Sequence, residues 1–332
     1  MNIIITLAFV LTTAYLFVYL GRRVKVPTPV LFILCGLFLN TSFMRNMFIE
    51  PNIGFLFGLG DIAIIFLMVL VGLESSWKEL YSERKDSLFI ALFASLFPLF
   101  IGLAVFLALG FSFVVSSIIG ICISITAEGT TAKVLMEINK LKSKVGAAMI
   151  GAGIIDDTMG LSFFILITYF LKKSYLKEDL LIAGVVLAFF IGVLIQKNLG
   201  RENQVIKKAE KIALFLIVPF FFISIGIHFD IGSLRLNAFL LALIVFIAII
   251  GKLIGTFLTK RFTKLSWRQL NIIGWAMNSR GGVEMVLALI AFRSGLIPIE
   301  IYSSLIIMTL ITTPIFPFIM SYIIKKEPGI MD

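Results

Sequence analysis

The residues best suited to chemistry in this sequence are two adjacent aspartates, Asp156 and Asp157, in the apolar segment GAGIIDDTMGL. An ionisable side chain at membrane depth costs roughly 2.5 to 3.5 kcal/mol on insertion scales, so its presence indicates function. Adjacent helical residues point in different directions, so the two carboxylates can have different partners. One can hold a fixed countercharge while the other alternates between a proton and a metal ion. A pair that serves packing alone is the alternative, although buried ion pairs seldom improve stability over apolar packing.

A lysine in a second apolar stretch offers a countercharge for this pair. Lys252 stands alone in AIIGKLIGTF, and we expect it to pair with Asp156. The alternative is that Lys252 lies near a helix end and extends its ammonium to the membrane surface. Acids outnumber bases at the expected membrane depth, which indicates a site that holds a cation or protons. The acids are Asp61, Glu128, Asp156, Asp157 and Glu284, and the bases are Lys133, Lys252 and Arg280.

Two other apolar segments are interrupted by small and polar residues, TAEGTT at 126–131 and NSRGG at 278–282. Broken helices in corresponding positions of two repeats are the best sequence indication of a transporter ion site. We expect Glu128 to open a half-helix and Arg280 to close one, so that each charge complements a helix-end dipole. We also predict that Glu128 and Arg280 meet where the breaks cross, with Glu284 as a further supporting charge. For either segment alone, a glycine-rich packing contact is the alternative.

Membrane-spanning helices must position these residues. The chain has 332 residues, of which 60% are hydrophobic and 14% charged, whereas soluble domains have about 25% charged residues. A spanning helix needs about 20 apolar residues, and backbone groups in the bilayer must be satisfied internally, so a helical bundle is expected. Eleven spans are predicted, near 2–20, 27–40, 53–73, 87–110, 112–137, 145–171, 179–196, 212–228, 236–258, 269–292 and 300–324.

The interrupted spans are the middle members of two trios, 87–171 and 236–324, which start on opposite sides of the membrane. The sequence therefore predicts an all-α polytopic membrane protein with two inverted three-helix repeats whose broken helices cross. We expect residues 1–332 to form a single transmembrane transporter domain. Its core repeats would be about 87–171 and 236–324, and the remaining helices would form a scaffold. No soluble regulatory domain is expected.

The net charge of +10, from 29 Lys and Arg against 19 Asp and Glu, has a simple explanation in a membrane protein. Basic loops face the cytoplasm, so no nucleic-acid partner is expected. The loop Lys and Arg residues concentrate on the side of the C-terminus, which predicts a cell-membrane protein with its N-terminus outside and its C-terminus cytoplasmic. Two cysteines in apolar stretches, Cys35 and Cys122, and the single His228 predict neither a disulfide framework nor a cofactor or metal cluster.

The order of several motifs resembles the monovalent cation:proton antiporter superfamily. The motifs are GLFLN, LMVLVGLE, TAEGTT, KVLMEINKL, GAGIIDDTMGL, PFFFISIGIHFDI, Lys252 and SRGGVE. They are most similar to the second branch, which contains NapA-like sodium/proton antiporters and Kef-like potassium efflux systems. The resemblance implies an NhaA/NapA-like fold, alternating access by a core that moves against a dimerising domain, and a homodimer. The chain departs from the pattern after the Asp-Asp span, with one predicted span where relatives commonly have three.

The resemblance also implies a role for each site residue. Asp157 resembles the residue that exchanges sodium for a proton, Asp156 its salt-bridged neighbour, and Lys252 the lysine of that bridge. Thr126 and nearby carbonyls would complete the oxygen shell that a hard cation needs, so Na⁺ is expected at Asp157 and Asp156. Relatives with Asp-Asp and this lysine tend to be electrogenic. The expected function is therefore electrogenic exchange of Na⁺ (or Li⁺) for H⁺, and K⁺/H⁺ exchange is the first alternative.

Three other functions use buried acids. An intramembrane aspartyl protease would carry the G-x-G-D string seen at 58–61, but it needs two aspartates that share a proton. The other aspartates at membrane depth form a single adjacent pair, so no enzyme is expected. A passive channel would offer a ring of filter groups. A sodium-coupled solute symporter could use the same architecture, although an organic solute does not require Asp156, Asp157 and Lys252.

Overall fold

The computed structural model describes residues 2–21, 26–74, 84–141, 143–170, 176–200, 203–230, 232, 237–327 and 329–331. All regular secondary structure in these ranges is helical. In chain order the helices are α1 (Ile3–Gly21), α2 (Thr28–Leu39), α3 (Ile53–Glu74), α4 (Arg84–Ala108), α5 (Phe113–Ser124), α6 (Glu128–Glu137), α7 (Lys144–Phe170), α8 (Leu176–Leu199), α9 (Gln204–His228), α10 (Ala238–Leu258), α11 (Trp267–Ala276), α12 (Gly282–Arg293) and α13 (Ile299–Lys326).

Seven helical segments in the described ranges are long and apolar enough to cross a membrane. They are Ile3–Gly21, Ser42–Glu74, Lys85–Ala108, Leu180–Leu199, Gln204–His228, Ala238–Arg261 and Ile299–Lys326. The protein is therefore an all-helical membrane protein, as predicted. The other predicted spans correspond to the short α2, to the long α7 with its Asp-Asp pair, and to two interrupted pairs, α5 with α6 and α11 with α12.

The helix boundaries follow local sequence signals. α2 begins after Pro27 and has a second proline in its first turn, where the missing N–H costs no helical hydrogen bond. α11 begins with a capping box, in which Ser266 and Gln269 satisfy each other's backbone amides. Both prolines within α13, Pro314 and Pro317, fall in its second half. Polar caps and prolines thus mark the starts of α2 and α11, whereas the two α13 prolines lie inside a continuous helix.

The chain divides into two compact units. The first consists of Met1–Ser75 and Leu176–Asp230, and so contains α1, α2, α3, α8 and α9. Within it, α3 packs against α8 and α9, and α2 packs against α1 and α9. Stacked rings support these contacts, with centroids 4.5 Å apart for Tyr15 and Phe215 and 4.1 Å apart for Phe57 and His228. Asp61 lies half-buried midway along α3.

The second unit consists of Ser76–Tyr175 and Ile231–Asp332, and so contains both predicted repeats. A buried apolar cluster joins four of its helices through Ala94 of α4, Ile154 of α7, Ile273 of α11 and Phe316 of α13. α10 packs closely on α4, because a Cβ atom at Gly255 would lie only 2.4 Å from the Phe93 carbonyl oxygen. One turn earlier, a Cβ atom at Gly251, beside Lys252, would lie 2.8 Å from the Pro98 Cβ atom near the middle of α4.

Candidate functional site

Lys252 is the centre of a polar cluster in the second unit. Its side chain is fully buried on α10, and its ammonium group donates two hydrogen bonds to side-chain oxygens. Lys252 Nζ lies 2.7 Å from Thr126 Oγ1 and 3.1 Å from Asp156 Oδ2. The ion pair expected between Lys252 and Asp156 is therefore present, and both groups lie inside the protein rather than at a helix end that reaches the surface.

Asp156 has a second partner that the sequence did not indicate. Ser95 of α4 donates a hydrogen bond from its hydroxyl to Asp156 Oδ1, so both carboxylate oxygens accept hydrogen bonds. Asp156 is 1% exposed, and a buried carboxylate is stable in its charged form only when it is paired and hydrogen-bonded. The only signal for Ser95 was a serine within the apolar segment LFASLFP.

Thr126 lies in the first helix break, between the end of α5 and the start of α6. Its hydroxyl donates to the Met277 carbonyl oxygen at 3.0 Å and accepts from Lys252. Because the hydroxyl hydrogen points to Met277, the oxygen lone pairs point to the ammonium. The Thr126 oxygen is therefore oriented to receive a cation.

The two breaks cross each other directly. The Ala127 N–H donates to the Ser279 carbonyl oxygen at 2.8 Å, which joins the two interruptions through their backbones. A Cβ atom at Gly281 would lie 2.4 Å from the Ala127 Cβ atom, so a glycine is needed for this approach. The crossing predicted from the two polar interruptions is thus seen as a main-chain contact.

Arg280 binds the C-terminal end of α5 and not that of α11, the half-helix that precedes it in sequence. Its guanidinium donates to the carbonyl oxygens of Cys122, Ile123 and Ile125, at the C-terminus of α5. The negative end of a helix dipole favours a cation at this position. The sequence predicts that Arg280 lies at the end of a half-helix. In the structure its guanidinium caps the end of α5, on the other side of the crossing, because α11 already ends at Ala276.

Glu284 lies in the first turn of α12, four residues after Arg280, and is 2% exposed. Glu284 Oε2 lies 3.6 Å from Arg280 Nη1, an ion pair without a hydrogen bond. Thr309 of α13 donates its hydroxyl hydrogen to Glu284 Oε1, and Thr313 exchanges hydrogen bonds with the Arg280 backbone. Sequence reasoning missed these threonines, although Thr309, Thr312 and Thr313 lie on one face of α13.

The remaining predicted residues are placed as follows. Asp157 follows Asp156 on α7 and is 6% exposed, so both acids of the pair are buried. Glu128 begins α6, as expected, but its side chain lies outside the described residues, as does that of Lys133. The predicted contact between Glu128 and Arg280 therefore stays a prediction. Asp61 belongs to the first unit, and the cluster around Lys252 belongs to the second.

Comparisons with known proteins show what the chain as a whole is similar to. The family model described as "Sodium/hydrogen exchanger, transmembrane" matches residues 8–178 and 162–326. A Na(+)/H(+) antiporter of Enterococcus hirae is 26% identical, with 98% of this chain and 99% of that protein aligned. The Na(+)/H(+)-K(+) antiporter GerN of Bacillus cereus is also 26% identical, over 80% of this chain and 82% of its own.

One solved structure has the same fold along nearly the whole chain. The sodium proton antiporter MjNhaP1 from Methanocaldococcus jannaschii aligns with a TM-score of 0.68 and 14% identity over 98% of both chains. The Enterococcus alignment runs over 387 positions, more than the 332 residues of this chain. That relative therefore has residues without a counterpart here.

Proposed function

The chain belongs to the sodium/hydrogen exchanger family, and we propose that it exchanges Na⁺ for H⁺ across the membrane. As a member of this family it is a multi-pass membrane transporter and not an enzyme. One observation carries the proposal. Lys252, Asp156 and Thr126 are in hydrogen-bond contact inside the protein, where two broken helices cross, with Asp157 one residue away.

The proposed exchange follows from competition for the same oxygens. The Lys252 ammonium occupies Thr126 Oγ1 and Asp156 Oδ2, and carboxylate and hydroxyl oxygens are also the ligands that a hard cation uses. A sodium ion at these oxygens and at Asp157 would displace the ammonium. Proton release from Asp157 would make a charged ligand available, so sodium and protons would bind in turn and not together.

Electrogenic exchange is the finer part of the proposal. A lysine displaced from Asp156 loses its countercharge in a buried environment, where an isolated charge is costly. Lys252 and its acid partner would therefore gain and lose protons as a coupled pair. More than one proton would then move for each sodium ion, and the cycle would carry net charge. Alternating access would present the site to each side of the membrane in turn.

The test uses purified protein in liposomes with an imposed pH gradient and an internal pH dye. Sodium, lithium and potassium are added in turn to the wild type, to Asp157→Asn and to Asp61→Asn. We expect sodium to dissipate the gradient in the wild type and in Asp61→Asn. In folded Asp157→Asn, the rate of dissipation should fall at least about 100-fold. Normal exchange by Asp157→Asn would refute the proposed site.

Potassium is the second candidate cargo, because the similar Bacillus protein is named as an Na(+)/H(+)-K(+) antiporter. The same experiment separates the two, since it ranks sodium and potassium on one preparation. Sodium-driven uptake of an organic solute without proton movement would instead favour symport. The cell membrane location, the outside N-terminus and the homodimer are further parts of the proposal, and they rest on the charge distribution of the loops and on the family resemblance.

A further inference from the structure

The Arg280–Glu284 pair is incomplete as an ion pair. Arg280 uses its two Nη atoms on three backbone carbonyls of α5, and Glu284 Oε2 remains 3.6 Å away. Glu284 Oε2 and Arg280 Nε have no hydrogen-bond partner among the described protein atoms. The guanidinium is therefore committed to the helix end, and the carboxylate has one hydrogen-bond donor, Thr309.

The elements around Glu284 supply few other charges. α12 packs against α5, α7 and α13. α5 contains no Asp, Glu, Lys or Arg, and only the Cys122 thiol approaches, 4.0 Å from the Glu284 carbonyl oxygen. α13 has Glu300, Lys325 and Lys326 at its two ends and the buried Tyr302 in its first turn. α7 carries Lys144 at its first residue and Asp156 and Asp157 near its middle. Lys252 forms its ion pair with Asp156, at 3.1 Å. Arg280 is thus the main countercharge within reach of Glu284.

The buried acids outnumber the buried bases in the described part of the second unit. The described interior of the second unit holds the carboxylates Asp156, Asp157 and Glu284 against the cations Lys252 and Arg280. Arg280 is already stabilised by the negative end of α5. It can therefore keep its charge whether Glu284 is ionised or neutral, and Glu284 can change its charge without leaving a stranded guanidinium.

We propose that Glu284 is a further proton-binding group of the exchange cycle, separate from Asp157 and from the Lys252–Asp156 pair. This inference rests on the proposed function. A proton from water would bind Glu284 Oε2 when the cation leaves, and the carboxyl O–H would return the proton to water when a new cation binds. Asn278 Oδ1 and Ser279 Oγ, in the same break as Arg280, also have no hydrogen-bond partner among the described residues. Buried polar atoms of this kind are usually served by ordered water, which provides a route for the proton.

The first experiment counts protons per cation in liposomes. Opposing sodium and pH gradients are varied until net flux stops, which gives the ratio for the wild type, Glu284→Gln and Glu327→Gln. Glu327 is the matched control, because it also pairs with an arginine, Arg268, at 2.8 Å but is only partly buried. We expect the ratio to fall by about one in Glu284→Gln and to stay constant in Glu327→Gln.

The second experiment distinguishes proton binding from a structural role. Thr309→Val removes the hydrogen bond that stabilises the charged carboxylate, so Glu284 should hold its proton to higher pH. The acid limb of the exchange profile should move upward by about one pH unit. Glu284→Asp keeps a carboxyl group and should give the wild-type ratio of protons to cations. A site that needed only the shape of the glutamate side chain would not give this result.

The outcomes separate the two proposals. No exchange by folded wild-type protein overturns the proposed function, and this inference with it. Exchange with the same ratio and pH profile in Glu284→Gln overturns this inference alone. If Glu284→Gln is folded but inactive, the Thr309→Val profile decides. A shift toward higher pH supports proton binding at Glu284, and an unchanged profile rejects it.

Discussion

Among the described residues of the second unit, two cationic side chains are fully buried, Lys252 and Arg280, and they are held in opposite ways. Lys252 binds side-chain oxygens, those of Thr126 and Asp156. Arg280 binds backbone carbonyls at the end of α5 and meets its carboxylate only at 3.6 Å. A side-chain oxygen can turn toward a different cation, whereas a helix-end carbonyl keeps its direction as long as the helix persists.

The difference suggests a division of work between the two residues. The planar guanidinium can satisfy several carbonyls at once, and it suits a permanent structural contact. The ammonium is a compact point charge that changes its protonation more readily when buried. We infer that Arg280 maintains the crossing while Lys252 takes part in the exchange. Four substitutions test this contrast, from the largest expected effect to the smallest.

The largest effect is expected for Arg280→Gln. The shorter, neutral amide cannot replace the three hydrogen bonds of the guanidinium to the α5 carbonyls, and Glu284 loses its main countercharge. Breaking a buried charge pair costs about 3 to 5 kcal/mol. Thermal unfolding in detergent should show a marked loss of stability. Arg268→Gln, which breaks an exposed pair, should cost about 1 kcal/mol or less. Equal stability of the two variants would contradict the structural role of Arg280.

Lys252→Gln should alter coupling more than folding. Glutamine still offers a hydrogen-bond donor to Asp156. If Asp156 also takes a proton, both side chains are neutral and no buried charge is left unpaired. We expect sodium-dependent exchange to continue with weaker dependence on an imposed membrane potential, because the coupled proton of the pair is lost. Potential-clamped liposomes measure this effect. A voltage dependence identical to that of the wild type would remove Lys252 from the coupling step.

Thr126→Val removes an oxygen from the site while keeping the side-chain shape. The apparent affinity for sodium should fall roughly tenfold, about the value of one polar contact to a charged group. Thr126→Ser, which keeps the hydroxyl, serves as the control and should stay within about threefold of the wild type. Initial rates at varied sodium concentration provide the comparison. An unaffected valine variant would place the cation away from Thr126.

The smallest effect is expected for Ser95→Ala. It deletes one of the two hydrogen bonds to Asp156, and Lys252 continues to neutralise that carboxylate. A change of about twofold to fivefold in apparent sodium affinity is expected. Ser87→Ala is the matched control, since Ser87 is also buried on α4 and its hydroxyl donates to the Ala148 carbonyl oxygen of α7 at 3.4 Å. If both serine variants behave alike, Ser95 has no special link to the site.

The sequence predicted the parts of the site whose burial in a membrane costs the most free energy. Charged residues in apolar segments are rare, so Asp156 and Lys252 could be identified and paired from residue types and hydropathy alone. Two polar interruptions in matching positions likewise predicted the crossed breaks. The helical architecture followed from apolar segment length, since spans of this kind have few alternatives.

The remaining contacts depend on features that residue types do not specify. Every residue has the same backbone carbonyl, so nothing in the sequence indicated that Arg280 would bind the end of α5 and not that of α11. Serine and threonine are common in membrane helices, and their hydroxyls often bond to their own helix. Ser95 and Thr309 were therefore indistinguishable from other hydroxyl residues until the helices were placed.

The hydrogen bond from the Ala127 N–H to the Ser279 carbonyl oxygen involves no side-chain atom. A change of side chain that keeps the N–H can crowd this bond but cannot delete it, so the contact between the two helix breaks is invisible to an alanine scan. It also tolerates wide sequence divergence, since any residue except proline at position 127 supplies the donor. A crossing secured in this way can persist in proteins that share few residues, and hydrogen–deuterium exchange should detect it as one protected amide outside any helix.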